Sequence, residues 1–274
     1  MIPPVGCRAP PTETPLMSRR LTAADRSALI RLASTLPVGS PQRKAILAGL
    51  TQTASGDEVN VPGRHILDDA QVTGTAEVSM GAKVFGNARV YDDAIVRGNA
   101  NVYGKAQVSG EALVSGDAQV LGNAKVFGNV WMYGSAKVSD YAQVSGNAVV
   151  FGNAMVSGDA KVYGGAWVEG NAKVYGNAQV FGRAHVYGDA QVSDRAKVFG
   201  RAQVLGNAKV RDEAKVYDWA VVTDDAEVYG SAKVSGNARV SGDARIGGTA
   251  EIIGGVWYKG EITSGRWKAP GVPA

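Results

Sequence analysis

Apolar positions in this chain recur every sixth residue, in two ladders set two residues apart. One ladder is alanine from Ala70 to Ala250, with Val130 as its exception; the other is valine from Val72 to Ile252, broken only at Met132, Ile246 and Ile252. Between each Val and the next Ala stand Gly or Asp and then often Asn or Asp, as in Val174-Tyr175-Gly176-Asn177-Ala178-Gln179. A β-branched residue flanked by variable ones alternates outward, inward, outward, as a strand does. The Gly-Asn or Gly-Asp that follows tolerates left-handed backbone angles and turns a corner. Ala then points inward where a corner leaves room for a methyl group. Six residues thus make one flat side and one bend, and an amphipathic helix, with its 3.6-residue period, does not fit.

The number of sides follows from the outward residues. Reading the position before each Val at every third repeat gives Glu77, Ile95, Leu113, Trp131, Val149, Trp167, His185, Gln203, Val221 and Arg239, a stripe that is largely apolar through its middle. The other two stripes are polar: one holds Lys83, Asn101, Gln119, Lys137 and Met155, the other Gln71, Arg89, Gln107, Lys125, Gln143 and Lys161. A period of 18 residues on the outside predicts three sides per coil. The 31 alanine-ladder positions then give about ten coils, stacked about 4.8 Å apart. The fold class expected is all-β, a three-sided parallel β-helix whose stability sums over coils and their neighbours. The spacing leaves the hand open, and crossover chirality by itself favours right-handed coils.

The unit Val-x-Gly-Asn-Ala-x resembles the hexapeptide-repeat superfamily of left-handed parallel β-helices, which includes acyltransferases, γ-class carbonic anhydrases and transferase-like members of undefined activity. The resemblance covers about Ala70 to Gly254. It implies a left-handed coil and a trimer. In many members the small residue directly follows the aliphatic one; here Gly stands two residues after Val, nearer to the members of undefined activity. The fold does not carry chemistry with it.

The ends depart from the repeat. Residues 1–20 are Pro-rich and read as a disordered tail, in which Met17 offers an alternative start. Residues 21–50 read as a pair of short helices. Thr22 caps the first, with Leu29, Leu32, Ala33 and Leu36 on its apolar face; Ser40 caps the second, with Ile46, Leu47 and Leu50. This pair is expected to cap the β-helix or to dock it elsewhere. Residues 51–68 form a linker and lead-in, 69–254 the β-helix, and 255–274 a C-terminal cap in which Trp257, Tyr258, Ile262 and Trp267 fold over the last coil.

Charge and candidate chemistry narrow the function. The net charge of +4 arises outside the repeats, since Asp69 to Gly254 holds 18 basic and 19 acidic residues. Nucleic acid is therefore not the expected partner. No apolar run is long enough for a membrane span, and the N-terminus lacks a secretory pattern, so a cytoplasmic or virion- and assembly-associated location is expected. The single cysteine, Cys7, allows no internal disulfide. A zinc site of the carbonic anhydrase kind needs three His, and the chain has two. His65 and His185 would stand on the order of 30 Å apart by strand spacing. Acyl transfer of the kind the resemblance implies commonly uses a His base, and His185, beside Tyr187 and Asp189, is what the coils offer. The uninterrupted repeat supplies no loop for a pocket there, and His185 reads as an ordinary exposed residue. Asp140, Asp194, Asp212 and Asp218 replace the corner Gly, while Asp92, Asp93, Asp224 and Asp225 also fall at corners; all read as turn formers. Thr73, Thr75, Thr223 and Thr249 are too scattered for an ice-binding face.

The apolar stripe carries the functional expectation. Adding the residue after each Val gives a patch of Ile95, Leu113, Trp131, Tyr133, Val149, Phe151, Trp167, Tyr187 and Leu205. A contiguous patch of that kind marks an interface. Val130 and Met132 lie beneath it and predict a locally repacked core. The reading is a non-catalytic scaffold, a rod that self-associates or docks through this face, in a virion or bacterial assembly, with no cofactor or metal. The alternatives are acyltransferase-like chemistry at a subunit interface and a carbohydrate-binding surface. For the latter the candidates are Tyr163 and Phe181 beside the lysine stripe.

Overall fold

The computed structural model describes residues 65–79 and 81–268. The disordered-tail reading for 1–20, the helical pair at 21–50 and most of the linker lie outside the described residues.

The chain winds through short strands from β1 (His65–Ile66), β2 (Gln71–Val72) and β3 (Glu77–Val78) to β35 (Arg266–Trp267). Every third strand is a neighbour, giving three parallel sheets of 12, 12 and 11 strands. The sequence expectation of three sides and an 18-residue coil is met in the register, where Glu77 pairs with Ile95 and Val78 with Val96. About eleven coils result rather than ten, because the ladder runs past residues 69–254 at both ends. The sheet that starts with β1 is here called the mixed face, that of β2 the basic face, and that of β3 the apolar face.

The interior is the two ladders. Val84 through Val240 and the alanines between them are essentially inaccessible, and Met132, Ile246 and Ile252 fill the same inward line. Each strand therefore buries one side chain and turns its neighbours outward, which is why two residues suffice to make it. Coils are tied by N–H groups at alternate positions: Gln71 donates to Ala88, Thr73 to Val90 and Thr75 to Asp92, at 2.8–2.9 Å.

The corners explain the Gly. An added Cβ at Gly164, where φ is +71°, would stand 3.1 Å from both the backbone N and O of Gly182 on the next coil. Seven corners carry Asp instead: Asp68, Asp92, Asp140, Asp194, Asp212, Asp218 and Asp224, with φ between 56° and 61°. In each case the carboxylate accepts the N–H of the corner residue one coil on, from 2.8 Å at Gly230 to 3.3 Å at Asp212. The residue that bends the chain also satisfies a donor that the sheets leave unpaired.

After Gly254 the spacing shortens to five residues. Strands β33 (Val256–Trp257), β34 (Glu261–Ile262) and β35 add one member to each sheet, in register with Val240, Ile246 and Ile252. Trp257 and Ile262 thus pack against the core in the inward line of a final coil, while Trp267, in register with Ile252, is 44% exposed. Trp257 and Trp267 meet edge to face at 5.9 Å, and each indole N–H donates to a nearby carbonyl, of Gly254 and Ser264. Trp257 and Ile262 cover the end of the core where no further coil supplies a neighbour. Tyr258 remains exposed.

Candidate interaction face

The apolar face is one parallel sheet, so its outward residues stack directly. Ile95 pairs with Leu113, Leu113 with Trp131, Trp131 with Val149, Val149 with Trp167, and Trp167 with His185. The flanking stripe after each Val brings Tyr133, Phe151, Tyr187 and Leu205 alongside. All nine residues read from the sequence as a patch lie on this single face.

Their exposure is uneven. Trp131 is 58% exposed and Trp167 47%. Ile95, Leu113, Val149, Phe151, Tyr187 and Leu205 are half-buried by their neighbours. The rings touch in mixed geometries: Tyr133 stacks on Phe151 at 4.9 Å, Phe151 meets Trp167 edge to face at 6.3 Å, and Trp167 meets His185 likewise at 5.8 Å. The two tryptophans project beyond the surface that the others make.

Beneath the patch Val130 and Met132 are fully buried. The preceding strand β11 (Lys125–Gly128) is four residues long and pairs through Gly128 with β14 (Gln143–Gly146). Val at an alanine position thus coincides with a lengthened strand at the adjoining corner.

His185 differs from the exposed residue expected. It is half-buried, its Nε2 lies 2.8 Å from Glu169 Oε1, and its ring packs 4.4 Å from that of Tyr187. Burial, then the nearby Glu169 carboxylate, raise the Tyr187 hydroxyl above its ordinary pKa. Glu169 was not singled out from the sequence. Its position after Val168 on the Trp167 coil, read in the 18-residue register, places it beside His185. Strand β1, which contains His65, belongs to the mixed face, so the two histidine positions lie on different sheets. Among the described residues, no group of three or more His, Cys, Asp or Glu could hold a metal ion.

The corner before this face also carries residues that the stripes did not reveal. Trp219 is exposed there, with the Arg201 guanidinium 4.3 Å above its ring. Arg183 and Glu111 occupy the same edge on other coils, both exposed. Reading the third position after each Val at a period of 18 would have found them.

The basic face is organised differently. Tyr163, Phe181, Phe199 and Tyr217 form a continuous stack, with centroids 4.8–5.0 Å apart and planes within 3°. Lys and Gln alternate beside it until Lys197, Lys215 and Lys233 fall in succession, and Lys233 ends on Glu251 at 2.7 Å. A shallow groove of about 420 Å³ lies at the corner leading into this face, lined by polar side chains and Tyr141.

Four stretches of the chain, residues 82–98, 106–122, 142–158 and 232–248, match the family model of the YdcK beta-solenoid repeat. With the three parallel sheets, the match supports a repeat β-solenoid. It does not extend to the hexapeptide-repeat transferases that the unit resembles. Among curated proteins nothing matches. Nothing matches among solved structures either.

Proposed function

We propose that this chain is a non-catalytic structural rod that associates through its apolar face. The supporting observation is that Ile95 through Leu205 form one contiguous stripe of a single sheet, from which Trp131 and Trp167 stand out at 58% and 47% exposure. Side chains at these positions could vary freely without touching the Val and Ala ladders, so the fold does not require them to be apolar. Covering one such Trp contributes a few kcal/mol by area, about 2–3 as an upper estimate. Contiguous apolar surface of this kind marks an interaction site, in a rod whose coils hold it rigid.

The stacked rings Phe181 and Phe199 of the basic face do not favour the sugar-binding alternative. A sugar packs on a ring face, and within the Tyr163–Tyr217 stack both faces of Phe181 and Phe199 are covered by their neighbours. The test of the proposal is the native mass of the full chain, before and after Trp131→Lys with Trp167→Lys. Wild type should be an oligomer and the double variant a monomer with an unchanged β-sheet circular dichroism spectrum. A monomeric wild type would overturn the reading.

A further inference from the structure

We infer that the occupant of the apolar face is a second copy of this chain, lying antiparallel about a two-fold axis that crosses the face between the Val149 and Trp167 coils. The inference rests on the face being an association surface and adds the partner and its register.

The outward stripe is the first argument. It runs through ten strands at 18-residue spacing, from Glu77 to Arg239, and its midpoint falls between Val149 and Trp167. A two-fold axis there, parallel to the strands, lays the stripe on its own reverse. Trp131 then meets His185 of the second copy, Val149 meets Trp167, and Ile95 meets Val221. At the two ends Glu77 meets Arg239. The second stripe brings Tyr133 onto Tyr187. The apolar middle covers itself and the only charges at the rim of the stripe oppose each other in sign.

The edges decide between orientations. An axis along the strands sets each edge of the face against the same edge of the second copy. On the edge before the strands, exposed Glu111 then faces exposed Arg201, twice per dimer. Any parallel arrangement, whether a two-fold along the rod or a ring of three, sets opposite edges together at equal height. Glu111 would then face Asp117, which offsets the attraction of Arg183 for Asp189 at another height, so the parallel edges carry no net attraction, and the trimer implied by the hexapeptide resemblance shares that balance. Opposite charges at a rim steer orientation, and the antiparallel arrangement is the one whose facing edges attract without a like-charge pair.

Two further features fit. Glu169, which falls opposite Phe151 of the second copy, already holds a hydrogen bond to His185 of its own chain at 2.8 Å, so it enters the contact partnered. Ten coils at about 4.8 Å, across a side of roughly four extended residues, give on the order of 600 Å² per copy before the projecting Trp side chains are counted, near the ~800 Å² per partner of a standard interface.

The experiment uses the full chain in two arms. In sedimentation equilibrium, Glu111→Arg and Arg201→Glu should each weaken the dimer by roughly tenfold, and the double variant should recover most of that loss. In the second arm a nitroxide is placed at Asp243→Cys in a Cys7→Ser background. The antiparallel dimer separates the two labels by about 43 Å, nine coils, whereas a parallel one holds them under about 30 Å. A wild-type monomer overturns the association reading itself. A dimer with the short label distance, or with no recovery in the double variant, overturns the antiparallel register and leaves the association reading standing.

Discussion

On the basic face, Tyr163, Phe181, Phe199 and Tyr217 lie plane against plane, within 3° of parallel, while on the apolar face Phe151, Trp167 and His185 meet edge to face. Both faces are built on the same coil, with the same Val inward and the same corner turning the chain. The difference lies in which outward position holds the rings. On the basic face the stacked rings all follow the Val, so each falls over the one 18 residues before. On the apolar face rings occupy both positions, before the Val at Trp131 and Trp167 and after it at Tyr133 and Phe151, so they cannot all stack. One arrangement spends its aromatic surface within the chain; the other leaves much of it facing outward. An aromatic-rich face is therefore a candidate interface only where its rings are out of register with one another.

The comparison breaks most visibly if the two kinds of ring are removed in turn. Phe181 lies between Tyr163 and Phe199, in contact with both faces of its ring. Phe181→Ala should lower the unfolding free energy of the monomer by about 1–3 kcal/mol, since each stacked pair contributes about 0.5–1.5 kcal/mol beyond burial. Trp131→Ala, at a more exposed position, should change it by no more than about 0.5 kcal/mol under the same dilute conditions. Urea unfolding of both variants measures the contrast. Equal losses would mean that the two faces do the same work.

How these faces could be read from sequence follows from the same geometry. The 18-residue register is legible because an inward Val and a corner Gly recur without insertion, so the spacing alone places Ile95, Leu113 and Trp131 on one side. What escaped were contacts that cross between positions. The Glu169–His185 pair joins the residue after one Val to the residue before the next on the same sheet, and a stripe read one position at a time cannot show it. The corner aromatics Tyr141 and Trp219 lie in the turn, where the expected residue is a small polar one. The last coil was hidden because its spacing falls from six residues to five after Gly254, and the tryptophans at its Val positions look like a break in the pattern. The carboxylates of the corner Asp residues were legible as turn formers, but their bond to the following coil depends on a proximity of corners that only stacking creates.

That proximity sharpens the comparison at the corner that divides the two faces. Gly164 separates Tyr163 on the basic face from Trp167 on the apolar one, at φ +71° and with the Gly182 backbone 3.1 Å from where a Cβ would stand. Gly164→Ala should cost about 1–2 kcal/mol for the left-handed conformation alone. Gly164→Asp should cost about 1 kcal/mol less than Ala, because its carboxylate would accept the Gly182 N–H as Asp218 accepts that of Gly236 at 3.1 Å. Thermal unfolding of the two variants tests the order, and Asp proving as damaging as Ala would show that the carboxylate bond contributes nothing.

The smallest effect concerns the charges that line the basic face. Lys233 and Glu251 are joined at 2.7 Å, and both side chains remain well exposed. The hydrogen bond from Lys233, and then its charge, hold the Glu251 carboxyl below the usual glutamate range, while the same bond raises Lys233 above its own. A carboxyl with a depressed pKa in the folded chain contributes stability above its unfolded value, about 4.3, and loses it as the pH falls through the lower folded one. Lys233 contributes below its ordinary range and loses its share as the pH climbs through the raised value. Between about pH 5 and 9 the pair is therefore flat, and any change lies on the two limbs. Glu251→Gln should leave stability near neutrality almost unaltered and flatten the acid limb slightly, because water and salt screen an exposed pair. Melting temperature followed from pH 7 to pH 3 would record the difference. If Glu251→Gln melted far below wild type at pH 7, the stability of this face would owe more to its charges than to its stacked rings.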